Sequence, residues 1–146
     1  MTGGAQGRPS AREYPVVQDG PYATVRLAPE VHAEYTRLFE SNDTLSRQRR
    51  THLSRYFQRF CELGPQSLNE EKFKFEDSFS DGYGRQIPVY AFKPFKWRLY
   101  GGILTVGGKR CFVGVRIDPS KKQDKANQGL LRSAAEDIAR LAEYRV

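Results

Sequence analysis

Apolar side chains recur along this chain with two different periods, and the changes of period predict where helices and strands lie. The first helix begins at Pro29, whose fixed φ suits a first helical turn, and it ends near Ser41. Asn42 or Asp43 caps a second, longer helix that ends at Gly64. The apolar stripes of these two helices are formed by Val31, Tyr35, Leu38 and Phe39, and by Leu45, Leu53, Tyr56, Phe57, Phe60 and Leu63.

Alternation of apolar and polar residues predicts short strands over residues 22–27, 72–79 and 87–92. A last amphipathic helix is predicted over residues 126–144, where the apolar positions return to the helical period. The outer side of the second helix is rich in arginine, and we interpret it as a solvated surface. These arginines are Arg47, Arg49, Arg50, Arg55 and Arg59.

Residues 90–117 predict a β-hairpin, because two apolar, β-branched and aromatic runs flank Gly107 and Gly108. A two-residue loop at these glycines mixes arginines into the apolar face, whereas a three-residue loop that starts at Val106 leaves one face wholly apolar. We predict the second register, since a sheet with one buried face sorts its side chains cleanly. Its pairs are Trp97 with Ile117, Leu99 with Val115, Gly101 with Val113, and Ile103 with Cys111.

The same register places Arg98 directly beside Arg116 on the other face of the hairpin. Like charges that face each other across a sheet repel, so this pair is unfavourable by itself. A bound phosphate or carboxylate would remove the repulsion, because guanidinium groups bind such anions through two parallel hydrogen bonds. The alternative is that both side chains extend into solvent, and the hairpin alone does not decide between the two.

The order of strand, two helices, several antiparallel strands and a final helix predicts an α+β fold. We expect a small antiparallel sheet with two N-terminal helices and a C-terminal helix, all packed on one face. Residues 1–20 are rich in Gly, Pro, Ser and Arg and show no period, so they predict a flexible tail. Residues 21–146 then form a single domain.

Several classes of protein are disfavoured by composition. The chain has no apolar run of about eighteen residues, and its start lacks the apolar core of a signal peptide, so we expect a cytoplasmic protein without a membrane partner. Cys61 and Cys111 are interpreted as buried apolar residues. His32 and His52 show no ligand spacing, so we expect neither a metal nor another cofactor.

Positive charge is concentrated in residues 85–125 of the 146-residue chain, whose net charge is +7. The segment holds ten basic and two acidic residues, a net charge of +8, so the remainder is close to neutral. Aromatic residues alternate with these cations, which is typical of surfaces that bind phosphates and stack on bases. The alternative is a solvated basic surface. The predicted nucleic-acid contacts are Lys93, Tyr100, Arg110, Phe112 and Lys125.

Four features follow one another in the second half of the chain: an arginine-bearing strand (FKWRLYGGIL), a second strand (KRCFVGVRI), a lysine-rich loop (DPSKKQDK) and an amphipathic helix. With the preceding strand and helices, they resemble the RelE/ParE toxin superfamily, especially its HigB-like, phage-associated branch. The resemblance spans about residues 22–144 and lies in the order of the elements and their charged positions more than in residue-by-residue identity. It implies a RelE/ParE-like fold and a cytoplasmic toxin that cleaves messenger RNA on the ribosome. A cognate antitoxin protein would hold the toxin inactive.

The resemblance also implies roles for individual residues. Arg98 matches the strand arginine of the family, and Arg116 lies near the position of a second phosphate-binding arginine. Lys121 and Lys122 match the paired lysines after the last strand. The lysines of the preceding segment are Lys93 and Lys96.

Metal-free RNA cleavage also needs a group that moves protons, and arginine keeps its proton at neutral pH. The predicted acid or base is Tyr100, or a lysine whose pKa is lowered by neighbouring cations: Lys96, Lys121 or Lys122. Several family ribonucleases use a histidine, tyrosine or aspartate near the last strand or the C-terminal segment, whereas the basic half of this chain contains no histidine.

We therefore expect the toxin of a type II toxin–antitoxin system. It would act as a metal-independent, ribosome-dependent endoribonuclease, with RNA or the ribosome and an antitoxin as partners. The missing histidine favours an alternative on the same scaffold, a non-catalytic protein that binds nucleic acid or blocks a target such as gyrase. A third reading is an accessory protein of a phage or mobile element that has lost the ancestral activity.

Overall fold

A six-stranded mixed sheet organises the protein, for which a computed structural model describes residues 7–119 and 127–144. The strand order across the sheet is β1-β2-β6-β5-β4-β3, and the predicted α+β class is confirmed. The strands are β1 (Val16–Asp19), β2 (Thr24–Leu27), β3 (Phe73–Ser80), β4 (Gln86–Phe92), β5 (Arg98–Val106) and β6 (Lys109–Asp118). The helices are α1 (Pro29–Glu40), α2 (Thr44–Leu63) and α3 (Gln128–Arg140).

The helix ends follow the predicted signals closely. Pro29 occupies the first turn of α1, and the Asp43 carboxylate accepts a hydrogen bond at 2.8 Å from the Ser46 amide at the start of α2. Gly64 ends α2 with a φ of 94°, a conformation that favours glycine. Helix α3 is shorter than predicted, because the backbone at Leu141 is extended, with a ψ of 142°.

The predicted layout of an antiparallel sheet with helices on one face is wrong in two respects. Strand β2 pairs parallel to β6, whereas the other neighbours are antiparallel. Helices cover both faces: α1 and α2 pack on one face, and α3 packs on the other. The central strands are apolar on both sides, so each face builds its own core. The α2 face contains Leu53, Phe57, Phe60, Phe92, Leu99 and Phe112, and the α3 face contains Val89, Tyr100, Val113, Leu131 and Ile138.

The predicted register of the hairpin is also wrong. Its turn is the two-residue loop at Gly107 and Gly108, with Val106 opposite Lys109, and the register slips further along. Gly101 faces Gly114 and Tyr100 faces Arg116, so Val115 is left between them as a β-bulge. Trp97, Leu99, Val113 and Val115 are buried as predicted, but they are shared between the two faces.

The N-terminal segment is ordered against the domain where the structure describes it, so the predicted tail is wrong for residues 7–20. A 3₁₀ turn at Ala11–Glu13 precedes β1, and Ala11 is fully buried. Arg26 donates hydrogen bonds to the carbonyl oxygens of Arg12 at 2.9 Å and Tyr14 at 3.1 Å. Contacts with distant residues hold this segment in place, so the spacing of its own apolar residues does not predict its structure.

Candidate nucleic-acid interface

Arg98 and Arg116, predicted as a facing pair, are diagonal neighbours on the α3 face. Arg98 stands opposite Asp118, and Arg116 stands opposite Tyr100. Arg116 donates from Nε to Oδ2 of Asp137 at 2.6 Å and from Nη2 to Oδ1 at 3.3 Å. The predicted facing pair is therefore wrong, because the two-residue turn and the β-bulge each shift β6 by one residue, so that Asp118 rather than Arg116 stands opposite Arg98. In addition, the Asp137 carboxylate pairs with Arg116.

Tyr100 and Phe112, predicted as stacking residues, are both fully buried and belong to the two cores. Phe112 meets the ring of Phe92 edge to face, with the centroids 4.8 Å apart, so neither of its faces is available to a base. Burial raises the pKa of Tyr100 to about 12, and the nearby Asp118 and Glu76 carboxylates contribute. Tyr100 therefore keeps its proton at neutral pH, and it does not fit the role of a general base.

Three cations converge on the α3 face at the end of the sheet where β3 and β5 begin. They are Lys74 on β3, Lys93 just after β4 and Arg98 on β5, and we call them the basic cluster. All three are half-buried. Burial lowers the pKa of the Lys93 ammonium, and the charges of Arg98 and Lys74 lower it further. The three side chains therefore share one electrostatic environment.

The basic cluster is held by backbone carbonyls rather than by carboxylates. The Lys93 ammonium donates to the carbonyl oxygen of Glu70 at 2.9 Å, and the Arg98 guanidinium donates to that of Trp97 at 3.1 Å. Within residues 7–119 and 127–144, no member of the cluster forms an ion pair. Three carboxylates, those of Glu70, Glu76 and Asp118, border the cluster and partly offset its charge.

The remaining predicted residues lie elsewhere or outside the described part of the chain. Lys96 lies in the turn before β5 with a φ of 51°, and its ammonium lies 5.4 Å from the centroid of the Phe95 ring. Arg110 lies on the α2 face, 5.7 Å from the centroid of Tyr22. Lys121, Lys122 and Lys125 fall outside the described residues.

Lys74 was missed by reasoning from sequence, although the signal was present. In the segment 72–79 the lysines alternate with Phe73 and Phe75, so Lys74 must point away from the aromatic face. Strand order was the missing information, because only the pairing of Lys74 with Ala91, and of Ala91 with Tyr100, brings β3 beside the predicted site.

Comparison with known proteins does not place the chain in a family: no family model matches it, and no curated protein matches it significantly. In the described part of the chain, no helix is long and apolar enough to cross a membrane. The same residues contain no group of three or more His, Cys, Asp or Glu side chains that could hold a metal ion.

Proposed function

We propose that this chain binds RNA through the basic cluster and acts as the toxin of a toxin–antitoxin pair. The observation that carries the proposal is that Lys74, Lys93 and Arg98 meet at one end of β3, β4 and β5 and form no ion pair within the described residues. Half-buried cations that form no direct ion pair bind a multivalent anion favourably, because part of their desolvation has already occurred on folding.

The geometry suits a nucleic-acid backbone better than a single small anion. Adjacent strands lie about 4.8 Å apart, so charges at the ends of three strands extend over roughly 10 Å, which is longer than one phosphate group and can face two or more phosphates spaced about 3.4 Å apart along a strand. By sequence, residues 120–126 follow β6 and contain three further lysines, Lys121, Lys122 and Lys125. RNA binding, an antitoxin partner and a cytoplasmic site of action all belong to this one proposal, which the resemblance to RelE/ParE toxins supports.

A second candidate function is cleavage of the bound RNA, and one observation favours it. Among the lysines of the described residues, Lys93 has a lowered pKa because of its burial and of the neighbouring Arg98. A neutral Lys93 amine would take the proton from a ribose 2′-hydroxyl, and Arg98 would stabilise the charge of the phosphorane. Binding remains the better supported function, since it requires only the cluster, whereas cleavage also requires a group that protonates the leaving oxygen.

The test compares two double variants that remove the same charge from opposite sides of the molecule. Lys93→Ala with Arg98→Ala removes two cations from the cluster. Arg55→Ala with Arg59→Ala removes two exposed cations from α2 on the other side of the sheet and serves as the matched control. Each protein is expressed inducibly, with growth and transcript cleavage followed in cells and RNA affinity measured on purified protein.

We expect the wild type and the control to arrest growth and bind RNA, and the cluster variant to lose at least tenfold in RNA affinity and to permit growth. Transcript cuts that vanish only in the cluster variant would assign cleavage as well as binding. Growth arrest by a wild type that neither binds RNA nor cuts transcripts would instead indicate a blocked protein target and overturn the proposal. Equal losses in both double variants would also overturn it.

A further inference from the structure

A cleft of about 420 Å³ opens between α1, α3 and the ends of β2 and β6. Its volume falls within the range of pockets that hold small molecules. Strands β2 and β6 are the parallel pair of the sheet, and the cleft lies beyond their carboxyl ends, a position where α/β sheets commonly bind ligands. Pro9 and Tyr14 of the N-terminal segment close one side. The cleft lacks all three members of the basic cluster, so it is a separate site.

Two arginines share a single carboxylate on one wall of this cleft. Asp137 accepts from Arg116 at 2.6 Å and from Arg140 at 3.0 Å, and its side chain is only 20% exposed. Asp137 takes only three of the N–H donors of the two guanidiniums, so several donors on this wall remain available to a ligand, while Glu30 and Glu136 also act on Arg116. The free donors of this wall therefore attract an additional anion. The guanidinium that shares a carboxylate with Arg116 is that of Arg140, whereas the sequence predicted Arg98 as its neighbour.

The facing wall carries the opposite charge. Glu30, in the first turn of α1, lines the cleft and is close enough to contribute to the raised pKa of Arg116, which is due mainly to the hydrogen bond to Asp137. Within the described residues Glu30 forms no ion pair, whereas Glu34 on the next turn is held by Arg37. Glu30 is therefore the carboxylate available to a cationic group of a ligand.

The floor between the charged walls is apolar. Val31, Val115, Ile117 and Leu130 line it, and Val115 is nearly buried as the residue of the β-bulge. An inorganic anion would leave this apolar surface in contact with water. A ligand with an apolar body would cover it and gain about 25 cal/mol for each Å² removed from water.

We propose that this cleft binds an apolar α-amino acid. The ligand carboxylate lies between Arg116 and Arg140, its ammonium group faces Glu30, and its side chain packs on Val115 and Leu130. Opposite charges on facing walls with an apolar floor between them match the three parts of such a molecule. The assignment is independent of RNA binding, because no residue of the basic cluster takes part.

The experiment titrates the full chain with L-leucine and with three analogues, following amide chemical shifts of the protein by NMR. N-acetyl-L-leucine lacks the ammonium group, L-leucinamide lacks the carboxylate, and glycine lacks the side chain. We expect saturable binding of leucine, with shifts confined to the cleft and affinities for each analogue lower by at least tenfold. No binding of leucine at 10 mM, or equal binding of any analogue, would overturn the assignment.

Variants of the two walls provide the second arm. Glu30→Gln and Arg140→Gln are each expected to weaken leucine binding at least fivefold, while Glu40→Gln at the exposed end of α1 and Arg59→Gln on α2 leave it unchanged. Unfolding curves establish that every variant is folded before it is titrated. Unchanged binding in both wall variants would show that leucine sits elsewhere and would overturn the proposal.

Discussion

The two faces of the sheet differ in the kind of interaction that fills them. On the α2 face, the rings of Phe57, Phe60, Phe73, Phe92 and Phe112 contact one another, with centroids from 4.6 to 6.2 Å apart. The α3 face combines apolar side chains with the Tyr100 hydroxyl, the pair of Arg116 and Asp137 and the basic cluster. Aromatic packing is therefore concentrated on one face, while the groups with candidate chemistry are concentrated on the other.

The largest expected effect is the loss of an aromatic ring from the α2 face. Phe112→Ala removes a fully buried ring that contacts three other phenylalanines, so it should lower the free energy of unfolding by about 3–5 kcal/mol. Urea denaturation measures this change. Arg110→Ala, on the same face of β6 but exposed, should change it by less than about 0.5 kcal/mol. A loss below about 1 kcal/mol for Phe112→Ala would refute the contrast between the faces.

Gly101 and Gly102 are consecutive in β5, so Cβ atoms added to them would point to opposite faces of the sheet and allow the two faces to be compared at one place. A Cβ at Gly101 would overlap the carbonyl oxygen of Val113 and the Phe112 ring, whereas a Cβ at Gly102 would meet the end of the Ile138 side chain at 2.9 Å. Backbone cannot yield as a side chain can, so Gly101→Ala should cost about 3 kcal/mol and Gly102→Ala about 1 kcal/mol. Thermal unfolding of the two variants gives the order, and a reversed order would contradict the packing described.

A smaller effect of opposite sign is expected at Tyr100. In the described part of the chain its buried hydroxyl makes no hydrogen bond of normal geometry and meets only a weak contact from the Asn127 amide, and a poorly paired buried group costs free energy. Tyr100→Phe keeps the ring and removes that oxygen, so it should stabilise the protein by about 1 kcal/mol. Chemical denaturation tests this, and a destabilisation of similar size would mean that the hydroxyl is satisfied in solution.

The smallest effect concerns pH and Glu143, where the N-terminal segment meets the end of α3. Burial alone would raise the pKa of Glu143, but hydrogen bonds from Ser10 at 2.7 Å and from the Ala11 amide at 2.8 Å bring it below the ordinary 4.5. The resulting stabilisation is present above pH 4.5 and is lost as the pH falls through the lower folded-state pKa.

Glu143→Gln should therefore reduce the loss of stability between roughly pH 5 and pH 3, by less than about 1 kcal/mol. Unfolding free energies measured at several pH values give the slope directly. An identical slope in wild type and variant would exclude this contact as a source of acid sensitivity.

Helix ends could be predicted because their causes are local. Pro29, Asp43 and Gly64 each act within a few residues, through a fixed φ, a side-chain cap and a left-handed conformation. The parallel pairing of β2 with β6 could not be predicted in this way, because Thr24 and Cys111 meet only after the intervening chain has folded.

The hairpin register failed for a physical reason. The criterion of one apolar face presumes that the other face is solvated, but Leu104 and Val113 pack toward α3 while Leu99 and Ile103 pack toward α2. Because both faces are buried, the alternation of apolar and polar residues does not discriminate between registers. The bulge at Val115 also reverses which residues of β6 point to each face beyond it. The candidate site changed as well: the observed register removes Arg116 from its place opposite Arg98, and the strand order β5-β4-β3 brings Lys93 and Lys74 beside Arg98.

The contacts of the N-terminal segment determine when it can reach its final position. Arg8 donates to the carbonyl oxygens of Ala139 at 3.1 Å and Leu141 at 2.8 Å, across more than 130 residues of chain. During synthesis Arg8 leaves the exit tunnel more than 130 residues before Ala139 and Leu141 do. These hydrogen bonds therefore cannot form until the end of α3 has emerged, so docking of the segment occurs late relative to its own synthesis.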